Sequence, residues 1–184
     1  MKLLLYTHSD YNWVWKYWHQ QTDKFLSNIK KICLVNSNSE FRDDYYVIKY
    51  DDKINYKNRI ISCLEKLDDN EVVIFLHEDM FLYDIPKFDI LNEYYQLILQ
   101  EKCYSIKLIR AFENLEKSNL HRNLLINPLN QLFSIQPTMI KVKNLKYVFL
   151  NAPGKNIWEF ESNTSDRYLK NFISLCSFYD TFDK

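Results

Sequence analysis

Apolar runs and amphipathic stretches alternate along the first half of the chain. Lys2–Tyr6 is a short apolar run that ends in polar residues and predicts a strand, and residues 12–29 carry apolar side chains at helical spacing. A second helical stripe covers residues 60–67, just before the apolar run 72–76. Two further strands are predicted at residues 31–35 and 45–50. This order of strands and helices predicts an α/β fold.

Residues 72–76 form the clearest predicted strand, because every position of the run is apolar. A strand of this kind is buried on both faces, as in the centre of a parallel sheet. We therefore expect one domain over residues 1–184, with a central, mostly parallel sheet flanked by helices. Open sheets of this type bind their ligands beyond the carboxyl ends of the strands.

The second half of the chain has a weaker pattern. Residues 111–130 lack clear periodicity, contain five asparagines and predict a long loop, and loops of that length are often functional. The remaining predicted elements are helices at residues 88–100, 138–150 and 166–179, and strands at residues 104–109 and 132–135.

The chain has 184 residues and a single glycine, Gly154, which excludes several common motifs. A Walker A loop, a GxGxxG turn, a GxSxG nucleophile elbow and an EF-hand loop all need glycine where the backbone approaches phosphate or adopts positive φ. The 24 basic residues are balanced by 24 acidic ones, which argues against a general nucleic-acid binder because such proteins carry a basic surplus.

Cysteine usage and the lengths of the apolar runs indicate the compartment. No run approaches the roughly 18 apolar residues of a transmembrane helix, and the N-terminal leucines are too few for a signal peptide. The cysteines form no CxxC pair of a zinc or redox site: Cys33, Cys63, Cys103 and Cys176. We expect buried thiols, no transmembrane segment and a cytoplasmic location.

Polar clusters follow the first and the central predicted strands. The first strand ends in Thr7-His8-Ser9-Asp10, and residues 72–76 are followed by His77-Glu78-Asp79. If the two strands are close in the sheet, both clusters face one crevice. Two carboxylates and an imidazole there suit Mg²⁺ or Mn²⁺, which would neutralise a diphosphate leaving group. Alternatively, Glu78 and Asp79 cap the next turn and His77 packs against a helix.

A third cluster follows the only Pro-Gly turn, in residues 156–161. Strand-like alternation would put Trp158 and Phe160 on one face and Glu159 and Glu161 on the other. A carboxylate partly desolvated beside aromatic rings has the raised pKa that favours a general base. The alternative is an ordinary edge segment with buried aromatics and solvated acids.

Basic residues lie at the start of the second predicted helix, in Tyr56-Lys57-Asn58-Arg59. A helix N-terminus with Arg and Lys nearby can receive phosphate. Equally, Arg59 can pair with Asp51 or Asp52 on the surface.

In this order, the segments resemble GT-A-type nucleotide-sugar glycosyltransferases, over roughly residues 1–170. The segments that carry the resemblance are Asp10 before a helix with Trp15, residues 56–59, residues 72–81, Ser134-Ile135-Gln136-Pro137, and Trp158-Glu159-Phe160-Glu161. The resemblance implies a single-domain GT-A (Rossmann-like) fold. It also implies transfer of a sugar from a nucleotide-diphosphate donor to a hydroxyl acceptor, with inversion.

The resemblance further implies roles for individual residues. Glu161, or alternatively Glu159, matches the catalytic base. Asp79, with His77 where the usual Asp-any-Asp motif begins, matches the site of Mn²⁺ or Mg²⁺. The residues matched to nucleotide-sugar binding are Thr7, His8, Ser9, Asp10, Tyr56, Arg59 and Glu78.

The acceptor implied is a glycan or another hydroxyl compound, and residues 111–130 with Arg110, His121 and Arg122 are candidates to contact it. At 184 residues the chain is short for the family, so it is a minimal enzyme, a module of a longer chain or half of a dimer. Two other hypotheses remain: a non-catalytic nucleotide- or carbohydrate-binding domain of the same fold, and a metal-dependent nucleotidyltransferase.

Overall fold

The computed structural model describes residues 1–36, 41–42, 44–82, 84–109, 115–126, 133–154, 156–164 and 173–177. The strands are β1 (Lys2–Tyr6), β2 (Lys31–Asn36), β3 (Tyr46–Tyr50), β4 (Val72–His77), β5 (Ser105–Lys107), β6 (Leu124–Ile126), β7 (Thr138–Lys141) and β8 (Ser174–Ser177). The helices are α1 (Asn12–Phe25), α2 (Tyr56–Leu64), α3 (Phe88–Leu99), α4 (Val142–Asn151) and α5 (Ile157–Ser162), with a 3-10 turn at Ser9–Tyr11 before α1.

The strands form one eight-stranded sheet in the order β3-β2-β1-β4-β7-β5-β8-β6. Parallel pairing joins the first four strands, and β5 is parallel to β8, whereas β7 and β6 run antiparallel to their neighbours. The chain runs outward from β1 to β3 and then returns to β4 on the other side of β1. The boundary between β1 and β4 is therefore the topological switch point, where open α/β sheets bind ligands.

Strand β4 is buried along its whole length, as the sequence predicted. Its side chains alternate between two apolar layers: Ile74 packs in the layer with Trp18 of α1, and Phe75 packs in the layer with Ile60 of α2. Helices α1 and α3 cover the first face of the sheet, and α2, α4 and α5 cover the second. The predicted α/β fold with a central, mostly parallel sheet flanked by helices is confirmed.

The predicted helix over residues 138–150 is wrong at its start. Thr138–Lys141 instead form β7, which pairs antiparallel with both β4 and β5, and all four residues are buried. A strand enclosed on both edges and both faces does not alternate between a buried and a solvated face. Its apolar residues Met139 and Ile140 run on into the apolar positions of α4, so the sequence shows no boundary at Val142, where the helix begins.

Two other short strands were not predicted from the sequence. Strand β6 lies inside residues 111–130, which predict a loop, and β8 lies inside the predicted helix 166–179. The rest of that predicted helix, residues 166–172 and 178–179, is outside the described residues. Strands of three or four residues are too short to show a period, and pairing with β5 and with each other stabilises them.

The predicted strand at residues 132–135 does not form. Leu132 is outside the described residues, and Phe133 packs its ring against Phe75 and Phe149, with ring centroids 5.6 and 5.5 Å away. Residues 133–135 thus lie beside the sheet without joining it. None of the helices in the described ranges has the length and apolar character needed to cross a bilayer.

Candidate functional site

An open cleft of about 940 Å³ lies at the carboxyl ends of β1 and β4. It gathers residues from both strand ends, α1, α2 and α5, which are far apart in the sequence. Of the residues predicted to form the site, those that line the cleft are His8, Asp10, Tyr56, Arg59, His77, Glu78 and Asp79. Thr7, Ser9, Glu159 and Glu161 are not among its lining residues.

Thr7 and Ser9 fix the end of β1 below the cleft. The Thr7 side chain is fully buried, and its Oγ1 accepts a hydrogen bond from Trp15 Nε1 at 2.8 Å, while its carbonyl accepts one from the Tyr50 hydroxyl at 2.8 Å. Ser9 is held by Asn36 at the end of β2, which bonds both its backbone N–H and its hydroxyl at 2.8 and 2.7 Å. Thr7 and Ser9, which were predicted to bind the nucleotide-sugar, therefore hold the neighbouring residues His8 and Asp10 at the cleft.

His8 and Arg59 both contact the Asp52 carboxylate. His8 Nε2 lies 3.0 Å from each carboxylate oxygen, and its Nδ1 accepts a hydrogen bond from the Asp10 N–H at 3.1 Å. Arg59 Nη2 lies 2.8 Å from Asp52 Oδ1, and its Nε donates to the Ile54 carbonyl at 2.8 Å. The hydrogen bond with His8 lowers the pKa of Asp52. Arg59 thus pairs with Asp52, which was the alternative to phosphate binding in the sequence analysis, and it also lines the cleft.

Three tyrosines form a cluster between Arg59 and the end of β4, and we call them the tyrosine cluster: Tyr6, Tyr50 and Tyr56. Tyr6 stacks on Tyr50 with ring centroids 5.4 Å apart and meets Tyr56 edge-on at 5.2 Å. The Arg59 guanidinium lies over the Tyr50 ring at 5.4 Å. Burial raises the pKa of all three phenols, so they stay neutral, and Tyr6 and Tyr56 present aromatic surface to the cleft.

The end of β4 carries less negative charge than its sequence suggests. His77 is buried, its Nε2 lies 3.1 Å from the Tyr56 hydroxyl, and burial lowers its pKa to about 4. Glu78 is also buried, and desolvation raises its pKa to about 7. Within the described chain, Glu78 Oε2 has no hydrogen-bond partner. Asp79 is exposed at the cleft, so it is the carboxylate of this strand end that is most open to solvent.

The predicted metal ligands do not form a ready-made centre. Among the described residues, no three His, Cys, Asp or Glu side chains converge as a metal site. The His77 Nε2 atom already contacts Tyr56. At the described end of β4, carboxylate oxygens are offered by Asp79 and by Glu78 Oε2, which are fewer than Mg²⁺ or Mn²⁺ requires without further ligands.

Residues 157–162 form a short helix, α5, and the predicted strand-like alternation is wrong. Asn156 caps the helix, and its side-chain oxygen accepts a hydrogen bond from Glu159 N at 2.9 Å. The helix buries Phe160 and exposes Trp158 and Glu159, so the two aromatic residues do not share a face. Glu161 is half-buried, and its Oε1 accepts a hydrogen bond from Ile135 N at 3.0 Å.

The single glycine allows α5 to pack closely on the preceding turn. A Cβ atom at Gly154 would lie 2.5 Å from the backbone N of Phe160 and 2.6 Å from its Cα. No side chain fits there without movement of the helix. Gly154 therefore sets the position of α5, which lines the cleft through Ile157 and Trp158.

Several cleft residues are not apparent from the sequence. Tyr6 and Trp13 line the cleft although they lie inside a predicted strand and a predicted helix, and Tyr50 and Asn36 support it from below. The pairing of β1, β2 and β3 brings these side chains together. His121, a candidate acceptor contact, instead lies 2.6 Å from Glu93 Oε2 on α3. Arg110 is outside the described residues.

No family model and no curated protein sequence matches this chain. The fold is similar to that of S. aureus TarS 1-349, a glycosyltransferase, with a TM-score of 0.59 and 10% identity over 99% of this chain and 59% of TarS. A 4-diphosphocytidyl-2C-methyl-D-erythritol synthase aligns over 99% of this chain and 92% of its own, with a TM-score of 0.48 and 8% identity. This chain thus spans 59% of the length of the TarS structure, and the likeness shows that its fold is GT-A-like, of the Rossmann type.

Proposed function

We propose that this chain transfers a sugar from a nucleotide-diphosphate sugar to an acceptor hydroxyl. One observation carries the proposal: the cleft at the switch point brings Arg59, two members of the tyrosine cluster and the acidic end of β4 together. A volume of about 940 Å³ suits a ligand of nucleotide-sugar size. The sequence resemblance to GT-A enzymes and the GT-A-like fold support the same class of reaction.

The donor diphosphate would bind at Arg59. Arg59 is the one guanidinium or ammonium group among the described residues that line the cleft. A guanidinium makes strong, charge-assisted hydrogen bonds to phosphate oxygens. We assign the direct donor contacts to His8, Asp10, Tyr56, Arg59 and Glu78, and a supporting role to Thr7 and Ser9.

The transfer itself needs one base and a stabilised leaving group. The acceptor oxygen forms a bond to the anomeric carbon while the bond from that carbon to the phosphate oxygen breaks, and the diphosphate leaves with the electron pair. The acceptor proton passes to a carboxylate. We assign this base to Glu161, with Glu159 as the alternative, on the sequence resemblance. The contact of Glu161 with Ile135, which lines the cleft, supports a place for Glu161 beside it.

A divalent cation would be held by Asp79 together with the diphosphate of the donor. Because the described residues offer so few free carboxylate oxygens there, we expect Mn²⁺ or Mg²⁺ to bind with the nucleotide and not alone.

Titration calorimetry with UDP, GDP and CDP, each with Mn²⁺ and with EDTA, tests the donor site. We expect one nucleotide to bind, and Arg59→Gln to weaken it at least about tenfold. Arg42→Gln is the matched control, because Arg42 pairs with Asp23 and Asp44 outside the cleft, and it should bind like the wild type. Asp79→Asn should remove any gain in affinity from Mn²⁺, whereas Asp84→Asn should not. Absence of binding by all three nucleotides at millimolar concentration would overturn the proposal.

A binding domain without catalysis is the second candidate. It is favoured by His77, which is tied to Tyr56 where the family motif has an acidic residue, and by the position of Glu161 outside the lining of the cleft. The two candidates differ in turnover. Release of nucleoside diphosphate from the bound sugar conjugate supports the transferase, and tight binding without release supports the binding domain.

The acceptor would be a glycan or another hydroxyl compound, with no nucleic-acid partner. We propose a cytoplasmic location, supported by four cysteines that are all buried and free. The chain would act alone, as a module of a longer polypeptide or as half of a homodimer. Size-exclusion chromatography with light scattering distinguishes the monomer from the dimer.

A further inference from the structure

Two tryptophans that line the cleft are largely exposed to solvent. Trp13 is 68% exposed and Trp158 is 72% exposed, and both line the cleft. Trp15 and Trp18 of the same helix α1 are instead buried in the core at 6% and 0% exposure. Two large indole rings in water beside a cleft are typical of a binding surface, because they leave apolar area uncovered until a ligand arrives.

The two rings reach the cleft from opposite layers of the protein. Trp13 is carried by α1, whose buried residues pack on one face of the sheet. Trp158 is carried by α5, whose Phe160 packs in the layer on the other face. Each of the two helical layers therefore places one exposed indole ring at the cleft. Tyr17, one turn after Trp13 on α1, is 56% exposed and extends the aromatic surface outward.

The polar neighbours of these rings indicate what they bind. Asp10 and Asn156 are both exposed, line the same cleft and lie close in sequence to Trp13 and Trp158. Sugar rings present C–H groups on their faces, which suit the negative face of an indole, and hydroxyl groups at their edges, which suit carboxylate and amide groups. A purely apolar chain would remove water from the Asp10 carboxylate and the Asn156 amide group without offering either of them a hydrogen bond.

We infer that Trp13 and Trp158 form an acceptor subsite for carbohydrate, so that the acceptor of the proposed transfer is a glycan. This inference rests on the proposed function. It adds the acceptor class and the two residues that select it. The donor groups at Arg59 and the tyrosine cluster remain available, because the tryptophans border the cleft from other elements.

The test uses trisaccharides of glucose, galactose, mannose and N-acetylglucosamine, in α and β linkage, added to protein saturated with its nucleotide. Binding is measured by saturation-transfer NMR and calorimetry. We expect at least one trisaccharide to bind, and Trp13→Ala and Trp158→Ala each to weaken it about tenfold or more. Trp13→Phe retains an aromatic face and should stay within about threefold.

Tyr46→Ala is the matched control, because Tyr46 is a 59% exposed aromatic residue of β3 that does not line the cleft. It should leave trisaccharide binding unchanged, and none of the four variants should change nucleotide affinity. Equal trisaccharide binding by the wild type and both alanine variants would overturn the inference. Binding of alkyl chains with no trisaccharide binding would also overturn it, in favour of an apolar acceptor. Failure of the proposed function would give a different result, because no nucleotide would then bind to the wild type.

Discussion

Glu161 Oε1 accepts a hydrogen bond from the backbone N–H of Ile135 at 3.0 Å, which joins helix α5 to a residue that lines the cleft 26 positions earlier. A carboxylate used in this way shapes the cleft as well as carrying charge. Any substitution at position 161 therefore has two possible effects, on the position of residues 133–135 and on proton transfer. The two effects can be separated by the choice of side chain.

Glu161→Gln should keep the structure and lose the reaction. The amide oxygen of Gln can still accept the Ile135 hydrogen bond, but the amide cannot take a proton from an acceptor hydroxyl. We expect nucleotide affinity close to wild type and a transfer rate lower by about 10²–10⁴-fold. Glu161→Ala should lose the same rate and also lower the melting temperature.

Rate assays with a nucleotide-sugar donor, alongside calorimetry with the nucleotide, provide the measurement. Glu159→Gln is measured in parallel, because Glu159 is the alternative base and is exposed on the same helix. A Glu161→Gln variant with full activity would contradict the proposed base and leave only the positioning role. Loss of rate in Glu159→Gln alone would identify Glu159 as the base.

His77 and Glu78 should have opposite and nearly cancelling effects on the pH dependence of stability. Burial lowers the pKa of His77 from 6.5 to about 4, so its contribution to stability is lost as pH falls below 6.5. Burial raises the pKa of Glu78 from 4.5 to about 7, so stability falls as pH rises through that range. Each contribution amounts to about 3 kcal/mol at full extent.

Single substitutions should reveal the two effects. Relative to the wild type, Glu78→Gln should lose unfolding free energy as the pH is lowered from about 6.5 to about 4, because His77 then binds a proton in the unfolded chain but stays neutral in the folded protein, and Glu78 no longer compensates. His77→Gln should lose it as the pH is raised from about 4.5 to about 7, because Glu78 then ionises in the unfolded chain but keeps its proton in the folded protein. Urea unfolding across this pH range measures both. Parallel pH profiles for the wild type and both variants would rule out buried titration at this strand end.

Gly154→Ala should destabilise the protein although alanine is small. The new Cβ would meet the Phe160 backbone N at 2.5 Å, and backbone cannot move aside as a flexible side chain can. We expect a loss of about 1–3 kcal/mol in the free energy of unfolding. Because α5 must shift, trisaccharide affinity at Trp158 should fall as well.

Urea unfolding and trisaccharide titration of Gly154→Ala measure these two effects. Ser162→Ala is the control on the same helix, because the Ser162 side chain is exposed and only donates to the Trp158 carbonyl. It should stay within about 0.5 kcal/mol of the wild type. Unchanged stability in Gly154→Ala would show that the turn before α5 can open without cost.

The sequence by itself determined the first half of the fold. Strands β1 to β4 and helices α1 to α3 each have enough residues to show an apolar run or a helical period, so each of them was predicted, although α1 ends at Phe25 and not at residue 29, and α2 at Leu64 and not at residue 67. The same run of apolar residues in β4 predicted the buried centre of the sheet, and the polar residues after it predicted where the cleft would lie. These features depend on local patterning, which the sequence carries directly.

Only the tertiary structure decided the second half of the fold and the composition of the cleft. Strands β6, β7 and β8 are short and held by pairing across the sheet, and α5 is one capped turn and a half whose position depends on Gly154. Tyr6, Trp13 and Trp158 come together at the cleft because three separate elements converge at the switch point. The sequence contains every one of these residues, but their convergence depends on long-range packing, which no local period encodes.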